Sequence, residues 1–215
     1  MTSPAAPHPF TIANYRFYWA ARLCSMLASY GMVLIIGWQA YNLARGDGLS
    51  VQAASVRLGY IGLFQFVPLF ILTPISGWVA DHLDRRVIVR TVLGVQALVA
   101  LFLAVTTSRG AISLEFIYVI AVLLGMCRAF LGPANGALAP NLVPKASLPT
   151  AIALGTIAWQ TGVLIGPAIA GPLYAIKADL PYWIATGLFG LAFGLFFLVG
   201  PVPRSVVRQD HGPSG

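Results

Sequence analysis

Two features of this chain could do chemistry inside an otherwise apolar sequence. The first is a run of charge, Gly77-Trp78-Val79-Ala80-Asp81-His82-Leu83-Asp84-Arg85-Arg86. The second is a lone cation, Arg128, in the stretch Leu124-Gly125-Met126-Cys127-Arg128-Ala129-Phe130-Leu131-Gly132. Asp81 and Arg85 stand four apart, a spacing that permits an ion pair if a helix continues through them. An exposed pair contributes little stability, and a solvated loop that sets membrane topology is the plain alternative. Arg128 is different, because placing an arginine in hydrocarbon costs at least about 2.5–3.5 kcal/mol. That cost makes it a candidate functional residue. The alternative is that its side chain snorkels to the interface, since Asn135 lies only roughly 10 Å further along a helix. A third stretch is mechanical. Gly162-xxx-Gly166 lets a neighbouring backbone approach closely, Pro167 bends a helix, and Gly171-Pro172 repeats the pairing. Generic small-residue packing explains these as well as a dedicated role does. Gln39, Asn42, Gln65, Gln96, Asn135 and Gln160 either line a path or bond neighbouring helices, and the sequence does not decide between the two.

The elements that must position these residues follow from composition. The chain has 215 residues, 58% of them hydrophobic and 9% charged, with mean hydropathy +0.82. Soluble domains carry about 25% charged residues, so an integral membrane protein, with the lipid bilayer as its partner, is the expectation. Crossing the hydrocarbon takes about 20 apolar residues. Six uncharged or nearly uncharged runs meet that length, at 23–44, 58–80, 87–108, 111–137, 151–176 and 180–200. Lipid forces their backbones into helices. The expected organisation is a disordered cytoplasmic tail over 1–15, a six-helix transmembrane domain over 16–203 and a cytoplasmic tail over 204–215. The polar stretch 45–57 reads as an outer loop and 140–149 as an inner loop that divides the helices three plus three.

The net charge of +7 makes no basic face with interleaved aromatics, so nucleic acid is not expected as a partner. The basic residues read instead as topology signals. Arg16, Arg22, Arg85, Arg86, Arg90, Lys145, Arg204 and Arg208 fall on one side, and Arg45, Arg57, Arg109 and Lys177 on the other. That asymmetry puts both termini in the cytoplasm of a cell-membrane protein. Tyr15, Tyr18 and Trp19, Trp38 and Tyr41, and Tyr182 and Trp183 mark span ends as interfacial aromatics. Cys24 and Cys127 read as small buried thiols without metal spacing. A phosphate-binding Gly-xxxx-Gly-Lys-Ser/Thr loop, a His-Glu-xx-His helix and a Gly-x-Ser-x-Gly elbow are all missing. Neither an enzyme, nor a cofactor, nor a metal site is therefore expected.

The loop Gly77-xxx-Asp81-xx-Asp84-Arg85-Arg86 resembles the loop 2–3 signature of the major facilitator superfamily of secondary transporters, with Asp84 where the family carries glycine. The run Arg128-Ala129-Phe130-Leu131-Gly132-Pro133-Ala134, continuing to Pro140-Asn141-Leu142-Val143-Pro144, is similar to the span 4 motif of that family. It looks most like the branch that includes the enterobactin exporter and macrolide-efflux-like proteins. Gly166-Pro167 with Gly171 is similar to the family's antiporter motif, with Ala170 in place of one glycine. The resemblance implies half of a twelve-helix fold, a 3+3 inverted repeat. It implies that Arg128 faces a central cavity for coupling or substrate contact. It also implies that Asp81 acts as a gating latch, with Arg85 and Arg86 as its basic partners. The expected function is proton-coupled export of a small amphipathic molecule such as a siderophore or drug. A homodimer or a separate C-terminal six-helix half would complete the cavity. The competing reading is a non-transporting membrane scaffold or a truncated relic, and a small channel is weaker for want of a filter or charged ring.

Overall fold

The computed structural model describes residues 7–200. The tail over 204–215, with Arg204 and Arg208, therefore lies outside the described residues. Six helices carry the fold: α1 (Ala13–Gly46), α2 (Val51–His82), α3 (Arg85–Ser108), α4 (Leu114–Leu142), α5 (Leu148–Ile176) and α6 (Leu180–Phe197). Each is long and apolar enough to cross a membrane. Described strands are absent, so the expected all-helical class holds.

Several helices outrun the apolar stretches that announce them. With 34 residues, α1 is about 51 Å long, well beyond the hydrocarbon. The expected disorder over 1–15 is corrected for 7–15. Pro9–Thr11 form a short 3-10 turn, Phe10 packs edge-on against Trp19 at 5.2 Å, and Pro7 accepts a hydrogen bond from Ser147 Oγ at 2.7 Å. The outer loop expected over 45–57 shrinks to 47–50, because Ser50 caps α2 by accepting from the Ala53 amide. The inner loop likewise shrinks to 143–147, most of it the 3-10 turn Lys145–Ser147.

The packing has two-fold logic. The closest neighbours are α1 with α5 and α2 with α4, followed by α1 with α6, α3 with α6 and α3 with α4. Exchanging the first three helices for the last three maps this pattern onto itself, as an inverted repeat requires. Glycine makes both closest pairs possible. A Cβ on Gly162 would sit 2.5 Å from Met26 Cβ, and one on Gly166 would sit 2.8 Å from the Leu27 carbonyl oxygen. Across the pseudo-symmetric pair, a Cβ on Gly125 would run into the Gln65 carbonyl of α2. Between these seams lie large buried side chains, including Met32, Ile35, Leu93, Leu103, Ile117, Phe189 and Phe196.

Tyr15, Tyr18 and Tyr182 are buried to about 1% exposure or less, so their rings pack against protein. Tyr15 donates to the Ala151 carbonyl at 2.8 Å and Trp19 to that of Leu154 at 2.8 Å, tying α1 to α5. Trp38 and Trp183 are exposed. Several contacts gather one end of the bundle. Pro7 meets Ser147, Asn14 accepts from the Gly200 amide, and Arg86 donates to the Val199 carbonyl.

Candidate functional site

The cation in span 4 reaches a cavity. On α4, Arg128, Leu131, Gly132, Asn135 and Gly136 fall at helical spacing on one face. On α1, Arg22, Met26, Ser29 and Tyr30 do the same, with Gln96 from α3 and Trp159 from α5. Together they line a space of about 300 Å³. It meets the surface at Gly132, Gly136 and Trp159, which are exposed. The glycine seam explains the geometry. Gly162 accepts the α1 backbone at Met26, itself a lining residue, and so draws the Arg22–Tyr30 face against α5 and beside α4.

Arg128 turns to a neighbouring helix. Its Nη1 donates to Gln65 Oε1 on α2 at 2.9 Å, a contact that the close seat of Gln65 over Gly125 makes possible. Arg22 enters from α1, where its Nη1 donates to the Tyr18 hydroxyl at 3.0 Å. That hydroxyl donates in turn to the Asn135 carbonyl at 3.2 Å. Trp159 Nε1 donates to the Tyr30 hydroxyl at 2.6 Å, closing the aromatic side. Two buried polar atoms remain without hydrogen-bond partners among the described residues, Arg22 Nε and Gln96 Oε1. Gln96 is only 2% exposed.

Arg22 was legible in the sequence only as a topology charge. A basic residue at a span boundary gives no sign of which way its side chain turns, although Tyr18 four residues earlier supplies the partner that holds it. Of the uncharged polar residues, Gln96 and Asn135 line the cavity and Gln65 binds Arg128. Gln39 serves packing, accepting from the Tyr182 hydroxyl at 2.6 Å and donating to Thr107 Oγ1 at 3.0 Å. Asn42 and Gln160 are exposed.

The charged loop 77–86 forms a separate structure. α2 stops at His82, with Leu83 extended, so the helix that an Asp81–Arg85 pair would need does not continue. Asp84 instead caps α3, accepting from the Arg86 amide at 2.9 Å and pairing with Arg86 Nη2 at 3.1 Å. Its φ of −65° makes no demand for glycine at this position. Partial burial works to raise the Asp84 carboxyl, but the hydrogen bonds and charge of Arg86, with Arg90 beyond, hold it below the usual carboxylate value. Arg85 Nε donates to the Ala80 carbonyl at 3.3 Å. Arg86 and Arg90 also reach the end of α6, where Arg90 donates to the Phe196 carbonyl at 3.0 Å and stacks 4.6 Å over the Phe197 ring. Cations at a helix C-terminus satisfy its last carbonyls. Asp81 is exposed, and Gly77 has open space around it. Pro167 lies within α5. A Cβ on Gly171 would come no nearer than 4.0 Å to Leu34, so Gly171 is not part of the close seam.

The family model of the Major Facilitator Superfamily matches residues 18–213. The chain belongs to that superfamily. It is 32% identical over 166 residues to the Staphyloferrin A transporter of Staphylococcus aureus (strain NCTC 8325 / PS 47), a stretch covering 74% of this chain and 42% of that protein. It is 27% identical over 144 residues to Multidrug resistance protein 1 of Bacillus subtilis (strain 168), covering 66% and 35%. The chain thus matches less than half the length of each of these relatives. The superfamily is one of membrane transporters rather than enzymes, and the described residues of this multi-pass helical membrane protein hold six helices long and apolar enough to cross a membrane.

Proposed function

We propose that the chain forms the N-terminal six-helix unit of a secondary transporter that exports a small amphipathic molecule, such as a siderophore or drug, by proton coupling. The observation that carries this reading is the position of Arg128, held by Gln65 at 2.9 Å in the wall of an open cavity of about 300 Å³. An arginine retained there against the insertion cost has its use in the cavity. The names of the two relatives, a siderophore transporter and a multidrug resistance protein, favour the same class of cargo. A second six-helix unit, either another copy of this chain or a separate half, completes the cavity. The protein sits in the cell membrane with both termini cytoplasmic, an orientation supported by Arg85, Arg86 and Lys145 at the end of the bundle that also holds residues 7–14. Loop 77–86 gates the transition, with Asp81 exposed and available to a partner on the second unit.

Arg128→Ala tests this directly. The variant is expected to insert normally and to lose at least about tenfold in efflux from cells or proteoliposomes, the change that 1.4 kcal/mol produces. Unchanged efflux removes Arg128 from the mechanism and with it the main support for a transport site here.

A further inference from the structure

The cavity carries positive charge that no described residue lining it answers. Arg22 and Arg128 enter it from different helices, and their partners are neutral, the Tyr18 hydroxyl and the Gln65 amide oxygen. The described lining residues include no carboxylate. Elsewhere among the described residues, the recorded ion pairs are Arg86–Asp84 and Lys177–Asp179, neither of which involves a residue lining this cavity. Removing a guanidinium from water without a counter-charge is costly, and two in one cavity add mutual repulsion. The same wall leaves Arg22 Nε without an acceptor and Gln96 Oε1, on a residue 2% exposed, without a donor. Buried polar groups are nearly always paired, so two orphans beside two uncompensated cations mark a place for something else. Met26, Leu131 and the Trp159–Tyr30 pair give the remaining wall an apolar and aromatic character.

We infer that the molecule received here is an amphipathic oxyanion, its carboxylate-type group bound between Arg22 and Arg128 and an adjacent N–H or O–H donated to Gln96 Oε1. The inference rests on the reading of this cavity as the transport site and specifies its substrate class. Arginine suits the task because its planar fork meets a carboxylate with two hydrogen bonds. The aromatic side accepts the body of the molecule.

The test uses the full chain in phosphatidylcholine nanodiscs, with whatever second unit it retains. The probes are dansyl-glutamate and its dimethyl ester, which share a fluorophore and an N–H donor and differ in charge. Dansyl-glutamate is expected to bind at least about tenfold more tightly than the ester. Arg22→Gln and Arg128→Gln should each remove most of that preference, Arg22→Lys and Arg128→Lys should retain part of it, and Gln96→Leu should weaken both probes alike. Equal binding of acid and ester, binding of neither, or a preference that survives in both glutamine variants overturns the inference. Loss of efflux in Arg128→Ala alongside equal binding of acid and ester would overturn the anion assignment and leave the transport reading standing. An acid supplied to the arginines by the second unit would give that result.

Discussion

Two groups of buried and half-buried polar side chains lie at different levels of this bundle, and they are treated in opposite ways. Gln39, Thr107 and Tyr182 join α1, α3 and α6 in a closed knot, in which the Gln39 amide both donates and accepts. Arg22, Gln96 and Arg128 come from α1, α3 and α4 around a cavity, where one atom each of Arg22 and Gln96 has no partner. The glutamines are the same residue type at similar burial, 4% and 2% exposed. What separates them is the presence of a partner helix or of open volume. In the first group polarity fastens helices. In the second it is held available.

The comparison breaks most severely if the cavity wall is displaced. Gly162→Leu forces α5 off α1 at Met26, and overpacking of that kind costs about 1–3 kcal/mol or more. The expected result is loss of efflux with a lowered unfolding temperature in detergent. Gly171→Ala, which meets only ordinary contact, should leave both unchanged or gain up to about 1 kcal/mol from helix propensity. If the two substitutions behave alike, the seam is not what shapes the cavity.

The next contrast is between the glutamines. Gln39→Leu leaves the Tyr182 and Thr107 hydroxyls unpartnered and should lower stability by about 1 kcal/mol, with efflux at wild-type levels after correction for protein amount. Gln96→Leu removes an already orphaned group, so stability should hold or rise while efflux falls. Equal destabilisation by both would erase the distinction between fastening and reserved polarity.

The smallest effect belongs to the charged loop. The Asp84 carboxyl is held below its usual value, so the Asp84–Arg86 pair contributes above about pH 4 and is lost as pH falls through the lowered value. The carboxylate is half-exposed, which limits the contribution to about 0–1 kcal/mol. Asp84→Asn, which keeps a capping side chain, should cost less than about 1 kcal/mol at pH 7. Thermal melts at pH 7 and pH 3 should show that difference shrink in acid.

The helices were legible because a chain with so few charges shows its spans as uninterrupted apolar runs. Their ends were less so. Ser50 and Asp84 start helices through caps, and α2 begins seven residues before its uncharged run, over 51–57, where Gln52, Ser55 and Arg57 interrupt the apolar residues. Arg128 was legible because its cost in lipid is independent of context. Gln96 and Arg22 were not, since a polar residue in a span looks the same whether it faces a partner or a cavity. The Asp81–Arg85 spacing misled for a related reason. Spacing counts only while the helix lasts, and this one ends at His82.

The central claim is that Arg22, Gln96 and Arg128 stand around an open cavity rather than against packed protein. Gly132 lines it, is exposed and has no atom within 4 Å of an added Cβ, so Gly132→Cys fits without strain. In a background with Cys24 and Cys127, the free cysteines, changed to Ala, its rate of labelling by a hydrophilic maleimide in membrane vesicles can be set beside that of Leu98→Cys. Leu98 is exposed on an apolar helix face, where lipid excludes the reagent. The account predicts labelling of Gly132→Cys at least about tenfold faster than the Leu98→Cys control, the ratio that 1.4 kcal/mol of difference in access corresponds to. Equal, slow labelling at both positions would contradict it.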